Sequence, residues 1–107
     1  MSESRDVQRI ASELVREDPS CADLVEEFLA GLATRLKSME TAIRDADLTT
    51  LRTAAHQLKG SGGGYGYPEL TRLAAELEQV AKAGALDACR QRFGQVADLC
   101  TRLVVRE

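Results

Sequence analysis

The stretch from Ala54 to Tyr67, A-A-H-Q-L-K-G-S-G-G-G-Y-G-Y, constrains this chain more than any other, because it sets five glycines against a helical pattern. Two structures are open to such a run: a glycine-rich loop that cradles a phosphate, or a helix whose missing side chains serve a purpose. A phosphate loop requires Lys-Ser or Lys-Thr directly after its last glycine and a strand before its first. Neither is present, and G-x-G-x-x-G is missed at every register between Gly60 and Gly66. On a helix at about 100° per residue, Leu51, Ala54, Ala55, Leu58, Gly62 and Tyr65 gather into a core-facing stripe. Thr49, Arg52, Thr53, His56, Lys59, Gly60, Gly63 and Tyr67 fall on the opposite side, which puts the only histidine in the middle of an exposed polar face.

Helical glycines are costly, at roughly 1 kcal/mol each relative to alanine. Five of them would cost about 4–5 kcal/mol against a typical domain stability of about 5–15 kcal/mol, so they need a compensating use. Gly62 lets a neighbouring helix come close. Gly60 and Gly63, on the histidine side, leave nothing to obstruct a docking partner, while Gly64 and Gly66 fall in the fraying end of the helix.

A chain of 107 residues makes one domain with a single modest core. Aromatics contribute only 4% against 44% apolar residues in all, so the core is built from Leu, Val, Ala and Ile, and strand-type β-branched or aromatic runs are missing. The fold class is therefore all-α. The net charge of −3 is spread along the chain, with no basic footprint for nucleic acid. No apolar run approaches the ~20 residues that span a bilayer, and Met1–Asp6 lacks signal-peptide character; a cytoplasmic protein is expected, with no membrane partner. Cys21, Cys89 and Cys100 form no C-x-x-C pair and read as small hydrophobes rather than as a disulfide framework or metal ligands.

The chain divides into segments by its breakers. Val7, Ile10 and Leu14 predict a short helix within Ser4–Arg16 that caps one end of the molecule. Asp18 then caps and Pro19 starts a long helix over 19–45, with Leu24 or Val25, Phe28, Leu32, Leu36, Met39 and Ile43 inward. Asp47 caps a second over 48–64, Pro68 opens a third over 68–83 with Leu70, Leu73, Ala74, Leu77 and Ala81 inward, and Gly84 ends it. A fourth runs over 86–104 through Leu86, Cys89, Phe93, Val96, Cys100 and Leu103. Connectors this short predict an antiparallel up-down-up-down four-helix bundle spanning 19–104, preceded by the capping segment 1–18.

His56-Gln57-Leu58-Lys59-Gly60, followed by Gly66 ten residues after the histidine, resembles the signature of histidine-containing phosphotransfer (HPt) domains. The resemblance extends by helix pattern over most of 19–104. It implies a helical bundle whose histidine is phosphorylated and shuttles a phosphoryl group to and from aspartates of receiver domains in a two-component phosphorelay. It also implies that His56 reacts through Nε2, that Mg²⁺ and the aspartate belong to the partner receiver, and that this chain binds no cofactor or metal of its own.

The residues allow that chemistry. A neutral imidazole is a good nucleophile near pH 7, and phosphoryl transfer depends mainly on positioning and charge stabilisation, which Lys59 at i+3 can supply. Arg52, one turn before His56, is a second candidate cation; Thr53 and Tyr67 border the expected docking surface with Gly60 and Gly63, and Glu78 and Lys82 are placed where they could face the histidine across a groove. No triad, metal cluster or paired acid and base accompanies His56, so a self-contained enzyme is disfavoured. The competing reading is a helical interaction module that binds a receiver or kinase without being phosphorylated. A monomeric, free-standing carrier is expected.

Overall fold

The computed structural model describes residues 8–107. Five α-helices run over Glu13–Glu17 (α1), Ala22–Arg44 (α2), Leu48–Gly64 (α3), Pro68–Lys82 (α4) and Leu86–Cys100 (α5), and two-residue strands at Ile10–Ala11 (β1) and Leu103–Val104 (β2) pair in parallel. The all-α class holds. The four long helices close a ring of contacts, α2 on α3, α3 on α4, α4 on α5 and α5 on α2, with α3 against α4 the most extensive.

The core follows most of the stripes read from the sequence, with Ala42 and Leu99 added, while Leu36, Ala54, Tyr65, Leu73, Leu86, Phe93 and Cys100 are only partly buried against it. Val25, Phe28, Leu32, Met39, Ala42 and Ile43 of α2 meet Leu51, Ala55, Leu58 and Gly62 of α3, Leu70, Ala74, Leu77 and Ala81 of α4, and Cys89, Val96 and Leu99 of α5. Between the two candidates at the start of α2, Val25 is the buried one and Leu24 is 56% exposed. Cys89 is fully buried and Cys100 is half-buried against the core, whereas Cys21 is half-buried away from it, its thiol donating to the Asp18 carboxylate; burial alone pushes the Cys100 thiol up to about 11.

Helix ends follow capping chemistry. Asp18 accepts from the Ser20 N–H and starts a single 3₁₀ turn over Pro19–Cys21, so α2 proper begins three residues later than Pro19 alone predicts. Asp47 accepts from the Thr50 N–H and caps α3. At the other end of α3 the Tyr67 N–H bonds the Gly62 carbonyl and the Gly66 N–H bonds that of Gly63, with Gly66 at φ +91°, the paired pattern that ends a helix on a left-handed residue. Gly84 ends α4 in the same way at φ +74°. Gly66 therefore belongs to an ordered stop, not to a frayed end.

Three further expectations are corrected. Of the expected helix within Ser4–Arg16, residues 4–7 lie outside the described residues, α1 starts only at Glu13 and runs one residue past Arg16 to Glu17, and Ile10–Ala11 is extended because it pairs with Leu103–Val104. The last helix stops at Cys100, four residues early: the Thr101 hydroxyl donates to the Asp98 carbonyl, a local bond that competes with helix continuation, and Leu103–Val104 is taken by the strand pairing. Tyr67 is fully buried, since its place on the polar face assumed a helix that continued past Gly64. Its hydroxyl donates to the Val104 carbonyl at 2.7 Å, and burial pushes its pKa up to about 12.

The turn after α3 is the point where the ends of the chain are fastened. Ser12, itself buried, donates to the Tyr65 carbonyl at 2.7 Å and caps α1 by accepting from the Val15 N–H, and the Glu13 N–H donates to the Gly66 carbonyl at 2.9 Å. Tyr65 stacks on Phe28 with ring centroids 4.5 Å apart. These bonds hold the end of α3 and so the direction in which its outer face points.

Candidate functional site

His56 lies on the solvent side of α3, its side chain 65% exposed, because the core stripe of Leu51, Ala55, Leu58 and Gly62 turns the opposite face outward. The ring is held by α4: Nδ1 lies 2.9 Å from Glu78 Oε2. The other oxygen of the same carboxylate, Oε1, is shielded from solvent and lies 2.7 Å from Lys59 Nζ. One carboxylate thus bridges the histidine and the lysine one turn beyond it. Lys59 holds the Glu78 carboxyl below the ordinary carboxylate range; partial burial pulls the other way, and the contact with His56 adds to the lowering.

An ionised carboxylate only accepts hydrogen bonds, so the proton in the His56–Glu78 contact sits on Nδ1. In the neutral ring Nε2 is then the nitrogen with a free lone pair. The tautomer is fixed by the neighbour, as in other sites where the partner of one ring nitrogen decides the chemistry of the second.

Thr49, Arg52, Thr53, His56 and Glu78 line one shallow depression. Arg52 and Thr53 are therefore brought together with the histidine, as the helical spacing predicts. Gly60 is exposed and a Cβ there would meet nothing within 4 Å, so this side of the histidine is open. Gly63 is exposed too, but a Cβ would lie 3.1 Å from the Thr71 hydroxyl, which makes it part of a helix contact as well as of the surface. Tyr67 is withdrawn from this face altogether. Lys82 does not line the depression; Glu78 does.

A family model described as the Hpt domain matches residues 23–105. The chain belongs to the Hpt family. Hpt domains are phosphocarriers of two-component phosphorelays and work with receiver domains, so histidine phosphotransfer is the activity that membership implies. Neither the comparison with curated proteins nor that with solved structures found a match. Apart from Ala22, the four long helices lie inside the matched span, whereas Ser12 and α1, which fasten the α3–α4 turn, precede it. Among the described residues no helix is long and apolar enough to cross a membrane.

The sequence nominated His56 and Lys59 for chemistry and left Glu78 as a guess. Counting outward from the turn at residues 65–67 does not single Glu78 out, because the position equidistant with His56 is Glu76, which pairs with Arg72 and Arg92; Glu78, two residues further along α4, is the carboxylate that meets the ring.

Proposed function

We propose that His56 is the phosphoryl acceptor and that it exchanges the group, through Nε2, with an aspartate of a receiver domain. The observation that carries this reading is the Nδ1–Glu78 contact on an otherwise exposed ring, which in the neutral imidazole leaves the Nε2 lone pair on the open side. The Nε2 lone pair attacks phosphorus, the bond from phosphorus to the aspartyl oxygen breaks, and its electron pair returns to the aspartate carboxylate. The ring becomes cationic while Nδ1 keeps its proton, and the Glu78 carboxylate offsets that charge. In the reverse direction the Nε2–phosphorus bond breaks and the ring returns to the neutral form held by Glu78.

Lys59, held on Glu78 before transfer, turns toward the incoming phosphoryl oxygens. Arg52, Thr53, Gly60 and Gly63 form the docking surface, Thr49 extends it, and the receiver brings the aspartate and Mg²⁺. A convex helix suits this division of labour, because the second half of the active site arrives with the partner. We also read the four long helices as an up-down-up-down antiparallel bundle, supported by connectors of three residues at 45–47, 65–67 and 83–85.

The test is incubation with a phosphorylated receiver. Wild-type protein should take up acid-labile phosphate, and His56→Gln should keep its helical circular dichroism and melting temperature while taking up none. Label persisting in the variant would overturn the assignment. Stable receiver binding with no label on the wild-type protein would favour an interaction module instead.

A further inference from the structure

We propose that Thr71 is a positioning residue for His56, setting the register of α4 on α3 and thereby delivering Glu78 to the imidazole. The Thr71 hydroxyl donates to the backbone carbonyl of Lys59 at 2.7 Å, a bond between the two helices and not within either. It reaches that carbonyl because α3 has no side chain in the way. A Cβ at Gly62 would lie 3.1 Å from the Thr71 backbone nitrogen, the Thr71 hydroxyl and Leu70 Cγ, and one at Gly63 would lie 3.1 Å from the hydroxyl.

Glu78 follows Thr71 by seven residues, two helical turns on the same face of α4. Lys59 is consequently gripped by α4 at both ends, its carbonyl by Thr71 and its ammonium by Glu78. The tolerance is small. A slide of one residue along a helix is about 1.5 Å, whereas a nitrogen–oxygen hydrogen bond weakens beyond about 3.2 Å, so a fraction of that slide takes Glu78 from 2.9 Å out of reach of Nδ1. Apolar packing of Leu58, Leu70, Ala74 and Leu77 brings the helices together but is nondirectional; the Thr71 bond supplies the direction. The glycines at 62 and 63 are the means by which this contact forms.

The inference deepens the phosphotransfer reading and rests on it for its functional consequence, but the tautomer of His56 can be measured without any transfer. With a single histidine in the chain, two-bond nitrogen–proton correlation spectra of protein labelled with ¹⁵N at histidine report that tautomer directly. Wild-type protein and Thr71→Ser, which keeps the donor, should both show the proton on Nδ1. Thr71→Val, which keeps the shape and removes the donor, should move toward the proton-on-Nε2 form that an unconstrained histidine side chain prefers, in the direction of Glu78→Ala, and should slow uptake from a phosphorylated receiver several-fold.

Gly63→Ala presses on the same hydroxyl and should shift the tautomer in the same sense, whereas Gly64→Ala, with open space at its Cβ, should not. A folded Thr71→Val with wild-type tautomer and transfer rate would overturn the proposal. If Thr71→Val does not fold, an unshifted tautomer in Gly63→Ala overturns it instead. The expected tautomer shifts without phosphate uptake by any form, wild type included, would sustain the positioning role and defeat the phosphotransfer reading alone.

Discussion

From Thr49 to Gly60 the outer face of α3 is polar and open and carries His56; from Ser61 to Gly66 four of the six residues are glycine, and at 62, 63 and 66 the backbone is pressed against its neighbours. In the first half, exposure follows from helical periodicity, because Leu51, Ala55 and Leu58 claim the inner face. In the second half, glycine serves contact: Gly62 and Gly63 admit Thr71, and Gly66 admits the backbone of Leu14 and the hydroxyl of Ser12. Gly60, beside His56 with open space at its Cβ, fits the idea that a glycine keeps a path clear for a partner; Gly64 is open as well, and Gly63 serves both the surface and the helix contact. Small residues beside a reactive group can thus act at a distance, by setting what stands behind it.

The largest effect that separates the two halves should come at Gly66. Alanine there would take φ +91° and place Cβ 2.4 Å from the Leu14 nitrogen and 2.5 Å from the Ser12 hydroxyl. A left-handed alanine and a backbone clash together should destabilise by about 2–4 kcal/mol, seen as a lowered midpoint in urea. A variant as stable as the wild type would mean that the clasp from Ser12 to Leu14 yields freely.

A smaller contrast lies within the glycine run. Gly62→Ala should lose about 1–2 kcal/mol to overpacking against Leu70 and Thr71, although alanine is the better helix former. Gly64→Ala, with nothing near its Cβ, should gain up to about 1 kcal/mol from helix propensity. Thermal melts of the two should move in opposite directions. Equal shifts of one sign would erase the distinction between contact and open glycines.

Smallest is the acid response of the Glu78 bridge. Its folded carboxyl is held below the ordinary range, chiefly by Lys59, so the unfolded chain binds the proton more readily. The contribution is therefore complete above the ordinary carboxylate range and fades as pH falls through the lowered folded value. For a pair in which Lys59 is 34% exposed the effect should be no more than about 1 kcal/mol. Stability measured from pH 7 down to pH 3 should fall less steeply in Lys59→Ala than in wild type, since the caps at Asp18 and Asp47, also lowered by their partners, are common to both. Parallel curves would remove Lys59 as the group that holds Glu78.

Local chemistry made much of this legible in sequence. The bounds of α3 followed from Asp47 and the glycine run, the start of α4 from Pro68, and its end from Gly84; periodicity gave most of each inward stripe but missed Ala42 and Leu99. What stayed hidden was set by partners far along the chain. Ile10–Ala11 and Leu103–Val104 are strands only because each finds the other, and Tyr67 is buried only because the chain reverses at Gly66. In the site, His56 and Lys59 were readable from their spacing on one helix. Glu78 and Thr71 required the pairing of two helices across a turn, and the glycines at 62 and 63 could not be assigned to contact until Thr71 was known to lie over them.

The central claim is that α4 fixes the proton on Nδ1 of His56 so that Nε2 does the chemistry. The direct measurement is the phosphorus and nitrogen NMR of the protein after uptake of phosphate from a receiver. The account predicts one phosphohistidine, at His56, with phosphorus bonded to Nε2 and the proton still on Nδ1. Phosphorus on Nδ1, or on any other residue, would contradict it.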